Sequence, residues 1–180
     1  YALQSNTAAN NVALGYGSAY QNTSGTSNTA LGYYALQSNT TASGNTAVGY
    51  QAGYSFNAGG NSANTFIGNF AGYSLTTGIN STFVGSGAGY RTTTGTSNIA
   101  VGLDPLFNNT TGSYNTSLGW QSLFSNTTAS YNTAVGYQAG FSNTAGSYNT
   151  FVGRQAGYYS NNTGNIFNAF FGQSAGFSCT

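Results

Sequence analysis

One glycine organises this chain. The nonapeptide NTAVGYQAG occurs twice, at Asn45 to Gly53 and at Asn132 to Gly140. Its fifth residue recurs as Gly15, Gly32, Gly49, Gly68, Gly85, Gly102, Gly119, Gly136, Gly153 and Gly172, at intervals of 17, 17, 19, 17, 17, 17, 17, 17 and 19 residues. Ten copies at that spacing leave no room for an ordinary globular core. A unit this short buries little alone and must stack on its neighbours. The expectation is a solenoid that takes up residues 1–180 as a single repeat domain. YALQSNT at the start matches Tyr34 to Thr40, so the chain opens in mid-pattern and reads as a fragment of something longer. The two long intervals follow Gly49 and Gly153, 104 residues apart, a spacing that admits a six-copy super-repeat.

Aligned on this register glycine, taken as position 0, the copies become columns. Position −1 holds Leu14, Leu31, Val48, Ile67, Val84, Val101, Leu118, Val135, Val152 and Phe171, apolar in every copy. Position −2 is Ala, Ser or Phe, with Phe66, Phe83, Phe151 and Phe170 the large members. Thr dominates position −3 and Asn position −4. Recurrent Gly, Asn, Thr and β-branched residues oppose helix, so a short strand ending at the glycine is expected. Strands send successive side chains to opposite faces, and here both faces are apolar. One column must fill the coil and the other must meet something else, most simply a second subunit. The −1 column is assigned to the coil core, and Phe66, Phe83, Phe151 and Phe170 to a subunit interface. After the glycine, Ala recurs at +3, and an aromatic stands at +5 in nine of ten copies, Gln37 being the departure. Small residues suit a narrow interior, and the aromatic column suits stacking from coil to coil. The rest are turn formers, which absorb the two-residue insertions, and Asn in a turn column can form an amide ladder. At about 4.8 Å per coil, ten coils make a rod of roughly 48 Å.

Composition narrows the chemistry. Arg91, Arg154 and Asp104 are the only charged side chains, and there is no His, Lys, Glu or Met. Acid–base, nucleophilic and metal chemistry need such groups held close together, so neither an enzyme nor a metal or cofactor site is expected. Two arginines make no basic patch for nucleic acid. No apolar run approaches the ~18 residues of a membrane helix. Disorder is opposed by 15 Tyr and 12 Phe. The lone Cys179 closes no internal disulfide.

NTAVGYQAG, NTALGYYAL, NTSLGWQSL and NTFVGRQAG resemble the head repeats of YadA-type trimeric autotransporter adhesins, and still more the NTAVGYQAL-type repeats of phage tail fibres and large bacterial surface proteins. The likeness spans the whole chain. It implies a left-handed parallel β-roll, three chains about a common axis, and an extracellular, cell-surface or virion-surface location. It carries no catalytic residues across. The period here is slightly longer than in the adhesin heads, and the aromatic column is an addition.

Other features are weighed individually. Gly85-Ser86-Gly87-Ala88-Gly89 and Gly15-Tyr16-Gly17 lack the strand-loop-helix setting of a nucleotide loop and read as turns. Sequons make Asn22, Asn39, Asn80, Asn109, Asn126 and Asn161 candidate glycan acceptors in a glycosylating host. Tyr16, Tyr33, Tyr50, Trp120 and Tyr137 follow the glycine as an aromatic strip that could contact glycans. Asp104-Pro105 suggests a local irregularity. The leading functional expectation is a rigid structural segment of an extracellular fibre, with self-association as a homotrimer or by lateral or end-to-end contact. The alternatives are an adhesin or tail-fibre segment binding host glycans and, third, an ice-binding surface based on the Thr column.

Overall fold

The computed structural model describes residues 1–160 and 167–178. Among them are ten three-residue strands and no helix: β1 Val12–Leu14, β2 Thr29–Leu31, β3 Thr46–Val48, β4 Thr65–Ile67, β5 Thr82–Val84, β6 Ile99–Val101, β7 Thr116–Leu118, β8 Thr133–Val135, β9 Thr150–Val152 and β10 Ala169–Phe171. They form one parallel sheet in sequence order. Each strand pairs with the next column for column, as in Thr133↔Thr150, Ala134↔Phe151 and Val135↔Val152. The chain is therefore a β-solenoid, one strand per coil, and every strand ends one residue before its register glycine.

The longer copy after Gly49 leaves that register intact, because Thr46 still faces Thr65. Its extra residues are taken up near Gly59 and Gly60, both at positive φ, beside an isolated bridge from Ser43 to Asn61. The second insertion falls near 161–166 and lies outside the described residues, as do Asn161 and Cys179.

The interior is the −2 column. Ala30, Ala47, Phe66, Phe83, Ala100, Ser117, Ala134 and Phe151 are fully buried, and Phe170 is partly buried against them. This corrects the expected subunit interface: Phe66, Phe83, Phe151 and Phe170 belong to the coil core. The expected core column faces outward instead. Leu14 is 72%, Ile67 39%, Val101 37% and Phe171 67% exposed, while Leu31, Val48, Val84, Leu118, Val135 and Val152 are half-buried.

The physical reason is volume. A coil of 17 residues encloses a narrow space, and the residues that share it compensate for one another. Where −2 is Phe, position +4 is Gly (Phe66 with Gly72, Phe83 with Gly89, Phe151 with Gly157); where +4 is Leu, as at Leu36, Leu106 and Leu123, position −2 is Ala or Ser. Gly53 and Gly140 make room across coils as well: a Cβ there would lie 2.6 Å from the ring of Phe66 and Phe151 respectively. Leu36, Gly53, Phe66 and Phe83 are matched five copies later by Leu123, Gly140, Phe151 and Phe170. The core thus alternates over five copies, and the six-copy spacing of the insertions does not govern it.

Most polar groups inside are paired along the rod, Asn143 Oδ1 and Asn168 Nδ2 being exceptions among the described residues. At −4 the backbone N–H of each coil donates to the side chain of the coil before: Asn45 to Asn28 Oδ1 at 2.9 Å, Asn64 to Asn45 Oδ1 at 3.1 Å, Asn115 to Asn98 Oδ1 at 2.9 Å and Asn149 to Asn132 Oδ1 at 2.8 Å. Ser81 keeps the ladder going, its Oγ accepting from Asn98 N–H at 3.2 Å. The amide nitrogens turn inward to carbonyls, as with Asn132 Nδ2 to Gly146 O at 2.9 Å. The ladder is an interior device as well as a turn device.

Asp104-Pro105 causes no break. Asp104 N–H donates to Ser86 O at 2.9 Å and Leu106 N–H to Ser122 O at 3.0 Å, so the coil-to-coil bonds run past it. Other copies use the N–H at this position only for a long local bond, 3.3 Å from Ala139 to Gly136 O for example. Proline, which lacks that donor, loses little there.

Candidate functional site

With the interior filled, the chemistry on offer lies on the outer strand face and the turns beside it. Alternation puts positions −3 and −1 outward together, so the sheet presents a Thr column beside an apolar column. Position +1, just past the glycine bend, adds Tyr16, Tyr33, Tyr50 and Trp120, which are 53%, 43%, 46% and 49% exposed, and the half-buried Tyr137.

The structure brings the expected aromatic strip together in two clusters. Tyr16, Tyr33 and Tyr50 stack on successive coils, with ring centroids 5.6 and 5.3 Å apart. Asn69, Ser86 and Leu103 then interrupt the column before Trp120 meets Tyr137 edge to face at 5.3 Å. Arg154 caps this second cluster, its guanidinium carbon 5.7 Å from the Tyr137 centroid. Stacking has a consequence for sugar binding. Tyr33 has one face on Tyr16 and the other on Tyr50, so it shows solvent mainly its edge. A pyranose stacks on a ring face, and this strip offers few.

The +5 column makes a longer stack. From Tyr54 through Tyr73, Tyr90, Phe107, Phe124, Phe141 and Tyr158 to Phe177, successive centroids are 5.0–5.3 Å apart. A third stack, Tyr114, Tyr131 and Tyr148, has centroids 4.9 Å apart. Burial, then the neighbouring Tyr90, Tyr54 and Tyr50, pushes the Tyr73 hydroxyl above its ordinary value. Burial followed by Tyr159 and Tyr137 does the same to Tyr158. The folded state therefore favours neutral phenols, and it loses stability as pH rises into their titration range.

Of the sequon residues, Asn22, Asn39, Asn109 and Asn126 are fully buried. Their amides form a second interior ladder: Asn126 Nδ2 donates to Asn109 Oδ1 at 2.9 Å, and Asn39 Nδ2 to Ala42 O at 3.0 Å. A glycan on these nitrogens would break the core, which corrects the expectation of acceptors there. Asn80 remains exposed.

Arg91 and Arg154 are exposed, and Asp104 is half-buried. Burial pushes the Asp104 carboxyl above its usual value. The folded state holds that proton more tightly than the unfolded chain, so stability is greatest below the ordinary carboxylate range and falls as pH rises through the raised value. Asp104→Asn is expected to raise the melting temperature at pH 7 by no more than about 2 °C and to flatten its dependence on acid pH. Melting curves from pH 3 to 7 check this; a lower melting temperature at pH 7 contradicts it.

Among the described residues, no group of three or more His, Cys, Asp and Glu lies close enough together to hold a metal, and no helix is long and apolar enough to cross a membrane. Column alignment passes over Tyr1, Tyr20 and Tyr34 as site residues, although they meet Tyr16, Gly17 and Gln37 around a cavity. The signal for it is the Gln37 departure in an otherwise aromatic column. No family model, curated protein or solved structure matches the chain, so a functional reading has to come from the geometry of these surfaces.

Proposed function

We propose that this β-solenoid is a structural rod, a segment of an extracellular fibre in which repeat number sets length and coil stacking supplies stiffness. The observation that carries the reading is the unbroken in-register ladder from β1 to β10, reinforced by interior amides and stacked rings on the same axis. Nearest-neighbour stacking of this kind accumulates stability copy by copy. Two arginines and no lysine also leave few sites for a trypsin-like protease. The resemblance to adhesin heads and tail fibres points the same way and suggests three chains per rod.

The outward −1 column is the proposed contact between chains. Ten positions at about 4.8 Å give an apolar stripe roughly 43 Å long, flanked by the +1 rings. Contiguous apolar patches left exposed on a monomer are often interaction surfaces. Placing Lys at Val135 and at Leu118 puts two charges on the stripe without touching the buried −2 column. The double variant is expected to keep its β-sheet circular dichroism while its mass in sedimentation falls to one chain; a parent that is itself a single chain overturns both trimer and stripe.

A further inference from the structure

The cavity in the early coils goes beyond the rod reading and is independent of it. It is about 270 Å³ in volume and is lined by Tyr1, Tyr16, Gly17, Tyr20, Tyr34 and Gln37. Two departures from the repeat create it. Position +2 carries Gly17 between copies with Tyr at that place, Tyr1 and Tyr34; Gly17 lies at φ +65, and a Cβ there would run into the Tyr34 ring. Position +5 carries Gln37 where the stack would otherwise join Tyr20 to Tyr54. Gln4 occupies the same column on the far side.

Tyr20 is thereby isolated. The continuous +5 stack begins only at Tyr54, and among the described residues Tyr20 makes no ring contact. Around it the other rings stand crosswise: Tyr1 on Tyr16 at 5.6 Å and 74°, Tyr34 on Tyr16 at 5.5 Å and 71°, and Tyr34 on Tyr54 at 6.1 Å and 74°. The result is a half-buried tyrosine that stacks on no other ring, beside rings that stand crosswise to one another. Gln37 supplies the polar handle. Its Oε1 accepts from Ser38 Oγ at 2.9 Å, which orients the amide and leaves its NH₂ as a donor.

We propose that this cavity binds a neutral pyranoside, one sugar ring stacked on Tyr20 with a hydroxyl on the Gln37 amide. Size supports one ring, since the volume is just below the range that holds drug-sized ligands. Neutrality follows from the lining, which has no charged side chain; the nearest in sequence, Arg91, is three coils beyond Tyr34 and Gln37, roughly 14 Å. Tyrosine walls can also cage an ammonium group, but perpendicular rings and an amide donor favour a flat ring bearing hydroxyls.

The test titrates the full chain with a panel of methyl pyranosides, and separately with choline, by saturation-transfer NMR and calorimetry. At least one pyranoside is expected to bind with a Kd in the roughly millimolar range, with transfer strongest at its ring C–H protons. Tyr20→Ala should weaken binding by about tenfold or more, and Trp120→Ala should leave it unchanged. Gln37→Phe is the decisive variant, because it completes the stack from Tyr20 to Tyr54: binding should vanish while the melting temperature rises. No pyranoside binding at roughly ten times that concentration, binding that survives Gln37→Phe, or choline binding in place of sugar each overturns the proposal. None of these outcomes bears on whether the rod forms, which sedimentation and electron microscopy read separately.

Discussion

Gly136→Ala is expected to destabilise the array by on the order of 3 kcal/mol or more, and to do so locally. Gly136 sits at φ +132, and a Cβ there would lie 2.6 Å from the carbonyl oxygen of Gly153 in the next coil. Positive φ alone does not demand glycine in this fold. Gln138, Leu123 and Tyr131 take φ of 52°, 46° and 61°, the ordinary left-handed region that non-glycine residues enter at modest cost. The register glycine differs on two counts: its φ lies far outside that region, and backbone packs directly on its α-carbon. Neither can relax without parting two coils. Hydrogen exchange should show the amides of β7, β8 and β9 opening well before the early strands, as expected of a quasi-one-dimensional array. A melting temperature within about 2 °C of the parent, with uniform protection, would falsify this account.

Phe66→Ala should cost about 3–5 kcal/mol, the usual range for an aromatic removed from a closed core. The ring fills space left open by Gly53 and Gly72 and lies 5.8 Å from Phe56 and 6.1 Å from Phe83, centroid to centroid. Main-chain ladders hold the neighbouring coils, so the cavity has little means of collapsing. Melting should turn biphasic, because the coils on either side lose their coupling. The same core predicts its own rescue. Ala30 with Leu36 and Ala100 with Leu106 are natural coils in which leucine at +4 replaces phenylalanine at −2. Phe66→Ala with Gly53→Leu should therefore recover more than half of the loss, since the new side chain would lie between small residues at 47 and 66 as Leu36 lies between Ala30 and Ala47, and Leu36 and Leu106 already take φ near 50° at that position. A double variant no more stable than the single one would mean that the two positions do not share the interior.

Much of this fold was legible in the sequence. A 17-residue period marked by glycine, with Thr and an apolar residue just before it, is enough to place each strand, its end and its in-register pairing. The aromatic column at +5 stacks as its periodicity requires, and the two-residue insertion after Gly49 stays in the turns. Three readings needed more. Phe66 reads as an interface residue once the equally apolar −1 column is given the interior, whereas the glycine opposite makes space for its ring inside the coil. Asn109 and Asn126 carry sequons, yet their amides are committed to the interior. Pro105 looked disruptive but sits where the backbone donor has little to do.

The repeat alone determines how many residues make a turn and which residues lie above one another, because stacking in register follows from spacing. It does not determine which side of a strand faces in. Alternation is symmetric between the two faces, and here both are apolar, so hydrophobicity cannot choose. Curvature and enclosed volume choose, through pairs such as Phe66 with Gly72 that are distant within a copy and complementary only once the coil has closed. The same closure turns Val135 and its column outward, shows the Tyr33 ring edge-on, and leaves a cavity where Gln37 parts Tyr20 from the rest of the stack.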